Sequence, residues 1–408
     1  MDPKIFILLF SVVTLVAIAA RSLRVPYTVA LVLAGLGLGA AHVDSVHLSR
    51  ELMFGVFLPG LIFEAAFHMR PLRSKRDWAA VVSLAAPGVV VSGAVTAAIL
   101  VPVVHRFAGI AGFDWLQGAL FAAVVAATDP IAVVALFRRL RAPERLTTLV
   151  EAESLLNDGT GIVLFNIVVA AVAGTSFTLA TAGLEFSRVT GIGTLIGAAV
   201  GLGISAAIRR IDEAMIEVTI TLVGAYGSFV LAEELGGSGV IACVVTGMLC
   251  ARIAAAQTGM TEVTRQAVHV FWEYVAFAMN SMVFLLIGME IDIHALLSVW
   301  FPVVAAFAAM TVARVLVVYV VTLLSQRTRE AWPWSWAPVL SWSGLRGALS
   351  MVLALGIDRA DPLRQVLVNM TFGVVLLTIM VQGLTMPWLL RATGAAATSQ
   401  PEREVPQG

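Results

Sequence analysis

Three carboxylates between residues 129 and 158 lie in stretches that are otherwise apolar. Asp129 interrupts an apolar run, and Glu153 and Asp158 lie just inside the next one, beside Ser154 and Asn157. In a lipid bilayer, each charge near a helix centre costs roughly 2.5–3.5 kcal/mol. Packing does not explain this cost, so the cluster predicts an ion site inside a membrane transporter.

Pro130 follows Asp129 directly and breaks the helix that the apolar pattern predicts. Proline lacks an N–H group and disfavours a helical conformation of the residue before it. The break therefore offers carbonyl oxygens beside a carboxylate, a ligand set that suits a small hard cation. The alternative is a simple proline kink with a capped Asp129.

The polar residues of the following helix form two adjacent stripes about 100° apart. Glu153 and Asn157 are four residues apart, and so are Ser154 and Asp158. The second stripe could ligate an ion together with Asp129, whereas the first faces another partner.

A buried Glu153 needs a partner. The best candidate is Arg346, which has no acidic residue in its own segment, and Asn157 would tie this pair together. Alternatively, Glu153 lies in water near Glu151. Arg314 is a second buried cation whose partner the sequence does not name.

Glu64 lies one helical turn beyond the break at Pro59 and Gly60. Two interpretations are open. Glu64 could complete the ion site, directly or through water, or it could pair with His68 four residues later.

The composition places the chain among polytopic membrane proteins. Of its 408 residues, 59% are hydrophobic and 13% charged, the mean hydropathy is +0.94, and soluble domains average about 25% charged residues. The net charge of zero argues against a nucleic-acid partner. The spacing of Cys243 and Cys250 predicts helix packing. We find no nucleotide-binding or protease motif, so no enzymatic activity is expected.

Hydropathy predicts an all-α protein with about thirteen transmembrane helices. The predicted segments are 3–20, 26–43, 52–69, 78–104, 116–138, 147–174, 189–208, 216–233, 238–256, 267–289, 295–324, 334–357 and 365–390. Most Lys and Arg residues fall in alternate loops, which predicts an external N-terminus and a cytoplasmic C-terminus. Residues 392–408 are expected to form a short disordered tail.

Thirteen segments divide into two six-helix halves around 189–208. Such halves would be inverted repeats, as in many secondary transporters. Segments five and twelve are equivalent under this pairing, and both carry helix-breaking residues, at 128–130 and at 343–347.

Motifs along nearly the whole chain resemble the monovalent cation:proton antiporters, the sodium/proton exchanger family, of the bacterial and archaeal NhaP type. They are F-E-A-A (63–66), A-T-D-P-I-A-V (127–133), E-S-L-L-N-D (153–158), S-G-V-I-A (238–242), F-L-L-I-G (284–288) and G-L-R-G-A (344–348). The second and third at this spacing are the most specific.

The resemblance implies a homodimer in the cell membrane and a role in pH homeostasis. Its dimer-interface part would comprise about 1–69 and 216–289. The ion-transporting core bundle would comprise about 78–174 and 295–391, and 189–208 would link the two parts. The expected activity is sodium/proton antiport without a cofactor. The alternatives are exchange of potassium or other monovalent cations, and a cation-binding sensor or scaffold.

The resemblance also assigns roles to site residues. Asp158 is implied as the main carrier of cation and proton. Asp129, Ser154 and the Thr128 carbonyl are implied as further sodium ligands, and Glu64 as acting through water. Glu153, Asn157 and Arg346 are implied as the supporting network. The Asn157–Asp158 pair resembles the electroneutral branch of the family, which exchanges one cation for one proton.

Overall fold

A computed structural model describes residues 3–23, 27–41, 50–70, 72, 74–174, 179–211, 213–255, 261–326 and 331–395. Within these ranges the chain is helical with short connections and contains no strand, which confirms the predicted all-α class. Of the predicted tail 392–408, residues 396–408 lie outside the described part.

We number the α-helices in chain order. They are α1 (Pro3–Leu23), α2 (Tyr27–Ala40), α3 (Arg50–Leu52), α4 (Leu58–His68), α5 (Lys75–Ala85), α6 (Pro87–Val103), α7 (Trp115–Val124), α8 (Ile131–Arg139), α9 (Glu144–Val172), α10 (Leu179–Ile208), α11 (Ala214–Glu234), α12 (Gly239–Ala255), α13 (Glu262–Glu290), α14 (Ile293–Ser298), α15 (Trp300–Ser325), α16 (Trp336–Trp342), α17 (Ala348–Leu355), α18 (Arg364–Leu377) and α19 (Leu384–Ala392). Turns of π-helix at Met53–Phe57, Val104–Ala108 and Thr378–Gly383 continue α3, α6 and α18.

Seven helical stretches of the described chain, one of them formed by α5 and α6 together, are long and apolar enough to cross a membrane. They begin at Lys75, Glu144, Ala180, Ala214, Glu262, Trp300 and Arg364. Shorter apolar helices lie at Ile7–Ser22, Tyr27–Ala40, Met53–His68, Trp115–Val124 and Gly239–Arg252. Helix overlaps each of the thirteen predicted segments, but several of these helices are too short to qualify as spans by length. The count of thirteen spans therefore stays a prediction.

Two of the predicted segments are broken where the sequence indicated. Helix α7 ends at Val124 and α8 begins at Ile131, so residues 125–130 are non-helical. Likewise α16 ends at Trp342 and α17 begins at Ala348, which leaves 343–347 non-helical. Pro130 and the glycines of the second break account for both interruptions.

The helices pack in two groups. In the first, α2 lies on α13, α12 on α4, and α10 and α11 on α12. In the second, α6 packs on α15 and α7, α9 on α5 and α7, and α17 on α18. The first group includes α10, which contains the predicted link 189–208, together with helices of the predicted interface part. The division into interface part, link and core bundle stays a prediction.

Small residues allow close helix contacts in the first group. A Cβ added to Gly35 of α2 would lie only 2.9 Å from the Cα of Gly288 in α13. The two backbones therefore touch, as is usual where helices pack inside a membrane. Cys243 and Cys250 are buried free thiols, consistent with the predicted packing role.

Candidate ion-binding site

The two broken helices cross at their non-helical segments. The Asp129 N–H donates to the Leu345 carbonyl over 2.8 Å. The Nη1 of Arg346 lies 3.3 Å from the carbonyl oxygens of both Ala126 and Ala127. Each break therefore supplies partners for backbone groups that the other leaves without helical bonds, which is a requirement inside a bilayer.

Asp129 is half-buried at this crossing, at the N-terminus of α8. Its Oδ1 accepts a hydrogen bond of 2.9 Å from the N–H of Ile131. Gly347 of the opposite break approaches so closely that a Cβ there would overlap the Asp129 carboxylate. The capping role that we held as an alternative is therefore present, and the carboxylate also faces the second broken helix.

Thr128 joins the first break to α9. The Thr128 N–H donates to Oδ1 of Asn157 over 3.1 Å, and Asn157 Nδ2 donates to Thr128 Oγ1 over 2.7 Å. The Ser154 hydroxyl donates to the Thr128 carbonyl oxygen. Two of the predicted sodium ligands, Ser154 and the Thr128 carbonyl, are therefore in direct contact.

Asp158 lies one turn beyond Ser154 on α9 and is half-buried. Its carboxylate makes no hydrogen bond or ion pair with any residue that the structure describes, while Asp129 and Glu153 both act on it as neighbouring negative charges. A carboxylate in an apolar segment without a protein partner requires a proton or a cation.

Glu153 pairs with Arg314, so the predicted Glu153–Arg346 pair is wrong. Arg314 of α15 binds the carboxylate through two bonds, Nη1 to Oε1 at 2.8 Å and Nη2 to Oε2 at 2.7 Å. Both side chains are buried, which excludes the alternative of Glu153 in water. The predicted bond to Asn157 is present, with Nδ2 2.9 Å from Oε1.

Arg346 is buried at the crossing, but its guanidinium donates to the backbone carbonyls of Ala126 and Ala127 and not to Glu153. Its own N–H donates to Oγ1 of Thr378, in the π-helical turn between α18 and α19, over 3.2 Å. The reason for the misassignment is geometric. The sequence contains two buried arginines and one candidate acid, and only Arg314 lies on a helix that faces α9 at Glu153.

Glu64 bonds to His68, with 3.2 Å between Oε1 and Nδ1. This is the pair that we left open against participation in the site. The other carboxylate oxygen is not part of that bond. Within the described residues, no three His, Cys, Asp or Glu side chains are arranged to hold a resident metal ion.

Sequence reasoning missed two contributors to the site, the partner of Glu153 and the hydroxyl of Thr378. Arg314 carried a signal, since a lone arginine deep in an apolar segment requires an acid. Thr378 carried none, because a threonine in an apolar helix commonly bonds its own helix backbone, as this one also does at Val375.

Comparison with known proteins identifies the family. The model of the transmembrane sodium/hydrogen exchanger family matches residues 7–392. The Na(+)/H(+) antiporter ApNhaP of Aphanothece halophytica is 39% identical over 94% of this chain and 72% of its own length. The low-affinity Na(+)/H(+) antiporter NhaS1 of Synechocystis sp. is 37% identical over 98% and 76%.

A solved structure shares the fold. The sodium proton antiporter MjNhaP1 from Methanocaldococcus jannaschii, determined at pH 8, superposes with a TM-score of 0.79. The match covers 95% of this chain and 97% of that one at 20% sequence identity. At this identity the likeness supports the helical architecture alone.

The buried ion pair predicts a characteristic mutational pattern. Arg314→Met or Glu153→Leu alone leaves an unpaired buried charge and should destabilise the protein by about 3–5 kcal/mol. The double variant removes both charges and should be more stable than either single variant. Thermal unfolding of the purified protein in detergent measures all three.

Arg138→Met is the matched control for this prediction. Arg138 pairs with Glu151 over 3.0 Å, but its side chain is 65% exposed, so its loss should cost less than about 1 kcal/mol. Single variants at Arg314 and Glu153 as stable as Arg138→Met would contradict the structural role of the buried pair.

The close approach at Gly347 predicts a local defect. In Gly347→Ala the new methyl group would displace the Asp129 carboxylate, so stabilisation of the protein by added sodium ions should be lost. Gly344→Ala is the control from the same break, because its Cβ meets no atom nearer than 3.4 Å. Equal stabilisation by sodium in both variants would show that Asp129 does not contribute to binding.

Proposed function

The chain belongs to the sodium/hydrogen exchanger family, and from this premise we propose that it is a secondary active sodium/proton antiporter that works by alternating access. Named Na(+)/H(+) antiporters match it over most of their length. The observation that carries the proposal is Asp158, a half-buried carboxylate of α9 that has no side-chain partner among the described residues.

Exchange follows from competition at Asp158. The carboxylate can hold a sodium ion or a proton, but not both. An occupied and neutralised site crosses a low-dielectric barrier at far lower cost than an empty charged one. Each time the site moves across the membrane it therefore carries either a sodium ion or a proton. It then returns with the other ion bound. No separate proton path is required.

We assign the sodium ligands to Asp158, Asp129, Ser154 and the Thr128 carbonyl. The Ser154–Thr128 bond is compatible with this assignment, because a hydroxyl that donates its proton retains lone pairs and a carbonyl oxygen has two. These are oxygen ligands, as a hard cation prefers. Sodium ions and protons are cargo, and the proposal involves no resident cofactor.

We further propose that Glu64 contacts the ion through water. Its bond to His68 occupies Oε1, which leaves Oε2 for the aqueous path. Four further residues support the site without binding the ion. They fix the position of α9 relative to the two breaks, and they are Arg314, Glu153, Asn157 and Arg346.

The two packing groups support different roles for the two parts of the protein. We propose that 1–69 and 216–289 form the dimer interface of a homodimer, that 78–174 and 295–391 move as the core bundle, and that 189–208 links them. The protein would reside in the cell membrane with its N-terminus outside and C-terminus in the cytoplasm, in line with the distribution of Lys and Arg.

Asn157 supports electroneutral exchange. Its amide nitrogen donates to Thr128 and Glu153, and its amide oxygen accepts from the Thr128 N–H. Asn157 does not titrate, so it adds no second proton carrier beside Asp158. One sodium ion would therefore exchange for one proton. The same oxygen ligands leave potassium or broad monovalent exchange as the second candidate.

Asp158→Asn should abolish sodium-driven proton movement while the protein remains folded. The amide can neither bind a proton nor balance the sodium charge. The assay is a pH-sensitive dye in proteoliposomes with an imposed pH gradient, with monodispersity and thermal stability measured in parallel. Asp358→Asn, at an exposed loop carboxylate, is the control and should exchange normally. Retained exchange in Asp158→Asn would refute the assignment.

Electroneutrality predicts that exchange does not respond to voltage. In the same proteoliposomes, sodium should collapse the pH gradient at the same rate with the membrane potential clamped or free. A rate that depends on the clamp would mean that more than one proton moves per sodium ion. Equal responses to sodium, potassium and lithium would favour the broad exchanger, and no response to any would favour a cation sensor or scaffold.

A further inference from the structure

A cavity of about 630 Å³ lies between the first helices of the chain and the second half of the first broken helix. Helices α1 and α2 form one wall, and α8 and α19 form the other. Its volume is in the range of small-molecule pockets, about 300–1,000 Å³. Most of its lining is apolar, with Val29, Phe277, Ile379 and Met386 among the contributors.

Among the described residues that line it, three are arginines and none is acidic. Arg21, Arg139 and Arg391 each lie in the last turn of a helix, α1, α8 and α19 respectively. In the predicted topology these helices belong to spans one, five and thirteen. Because alternate spans run in the same direction, the three guanidinium groups lie at the same face of the membrane.

Some arginines near the membrane face are neutralised by acidic partners. Arg138 pairs with Glu151, and Arg145 pairs with Asp77. The guanidinium groups of Arg21, Arg139 and Arg391 are exposed and, like those of Arg76, Arg209 and Arg210, have no side-chain partner in the described part of the chain. The cavity thus combines an apolar interior with three uncompensated positive charges.

We propose that this cavity binds an anionic phospholipid, with its acyl chain among the apolar side chains and its headgroup phosphate on the three arginines. A membrane lipid is the occupant that the chemistry favours. The cavity lies among spanning helices, and the neighbouring Leu384 and Trp388 are 47% and 69% exposed. An apolar body with one anionic end at the membrane face matches this arrangement.

The position of the cavity gives the lipid a structural role. Tyr27 and Thr28 of α2 line one side, and Ile131 and Leu345 line the other. The last two adjoin the crossing of the broken helices. A bound lipid would therefore bridge the two packing groups and stabilise the conformation in which they are this close.

The test is lipid binding by the purified full chain, measured by native mass spectrometry with phosphatidylglycerol and phosphatidylcholine. The wild type should bind phosphatidylglycerol more tightly. In the triple variant Arg21→Gln, Arg139→Gln, Arg391→Gln, affinity for phosphatidylglycerol should fall by about 100-fold, because each arginine near an anionic headgroup contributes roughly a fivefold factor. Binding of phosphatidylcholine should change little.

The matched control is the triple variant Arg76→Gln, Arg209→Gln, Arg210→Gln. It removes the same charge from exposed positions that do not line the cavity. The control should keep the wild-type preference for phosphatidylglycerol. Equal losses in the two triple variants would show a general surface-charge effect and overturn the proposal, as would an unchanged preference in the cavity variant.

A second variant tests the apolar part without altering charge. Gly383 lines the cavity, has a helical backbone, and an added Cβ there meets no atom within 4 Å. Gly383→Leu should therefore fold and fill the space of the acyl chain, which weakens binding of phosphatidylglycerol. Gly203→Leu on α10, equally open, is the control. Undiminished lipid binding in Gly383→Leu would place the lipid elsewhere.

Discussion

The backbone polar groups of two interrupted helices impose the constraint on which the rest of the structure depends. In a bilayer these groups have no water to bond, so each break must be satisfied by other protein groups. Residues 125–130 and 343–347 meet this demand partly through each other, by the Asp129–Leu345 bond and by Arg346 on the carbonyls of Ala126 and Ala127. The crossing also places Asp129 and the Thr128 carbonyl beside α9.

The ion pair between Glu153 and Arg314 supports this arrangement from the other side of α9. It links α9 to α15, and through Asn157 it extends to Thr128 of the first break. The charges of Glu153 and Arg314 thus compensate each other, and Asn157 donates to the same carboxylate. Asp158 differs from them, because no residue in the described ranges pairs with it. Helix α9 therefore carries one carboxylate that is held in an ion pair, Glu153, and another that is free of such a pair among the described residues, Asp158.

Much of this organisation was predictable from the sequence, because lipid tolerates few polar residues and each one needs a reason. Hydropathy located the helices, Pro130 and the glycines around Arg346 located the two breaks, and the four-residue spacing separated the Glu153 stripe from the Asp158 stripe. Pairing was not predictable. Arg314 and Arg346 are chemically equivalent candidates for Glu153, and only the packing of α15 against the core decides between them. The predicted pair between Glu64 and His68 was an open alternative for the same reason, since spacing permits a contact but does not require it.

The contacts of Arg346 have a thermodynamic consequence for the transport cycle. They bond the second break to the first across 220 and 219 positions of sequence, so the two breaks are joined directly. If the breaks and α9 move together as we propose, an ion bound there would meet the same groups whichever side of the membrane is open. The intrinsic affinity is then equal at both faces, and the protein has no built-in polarity. The ion gradients alone set the direction of exchange.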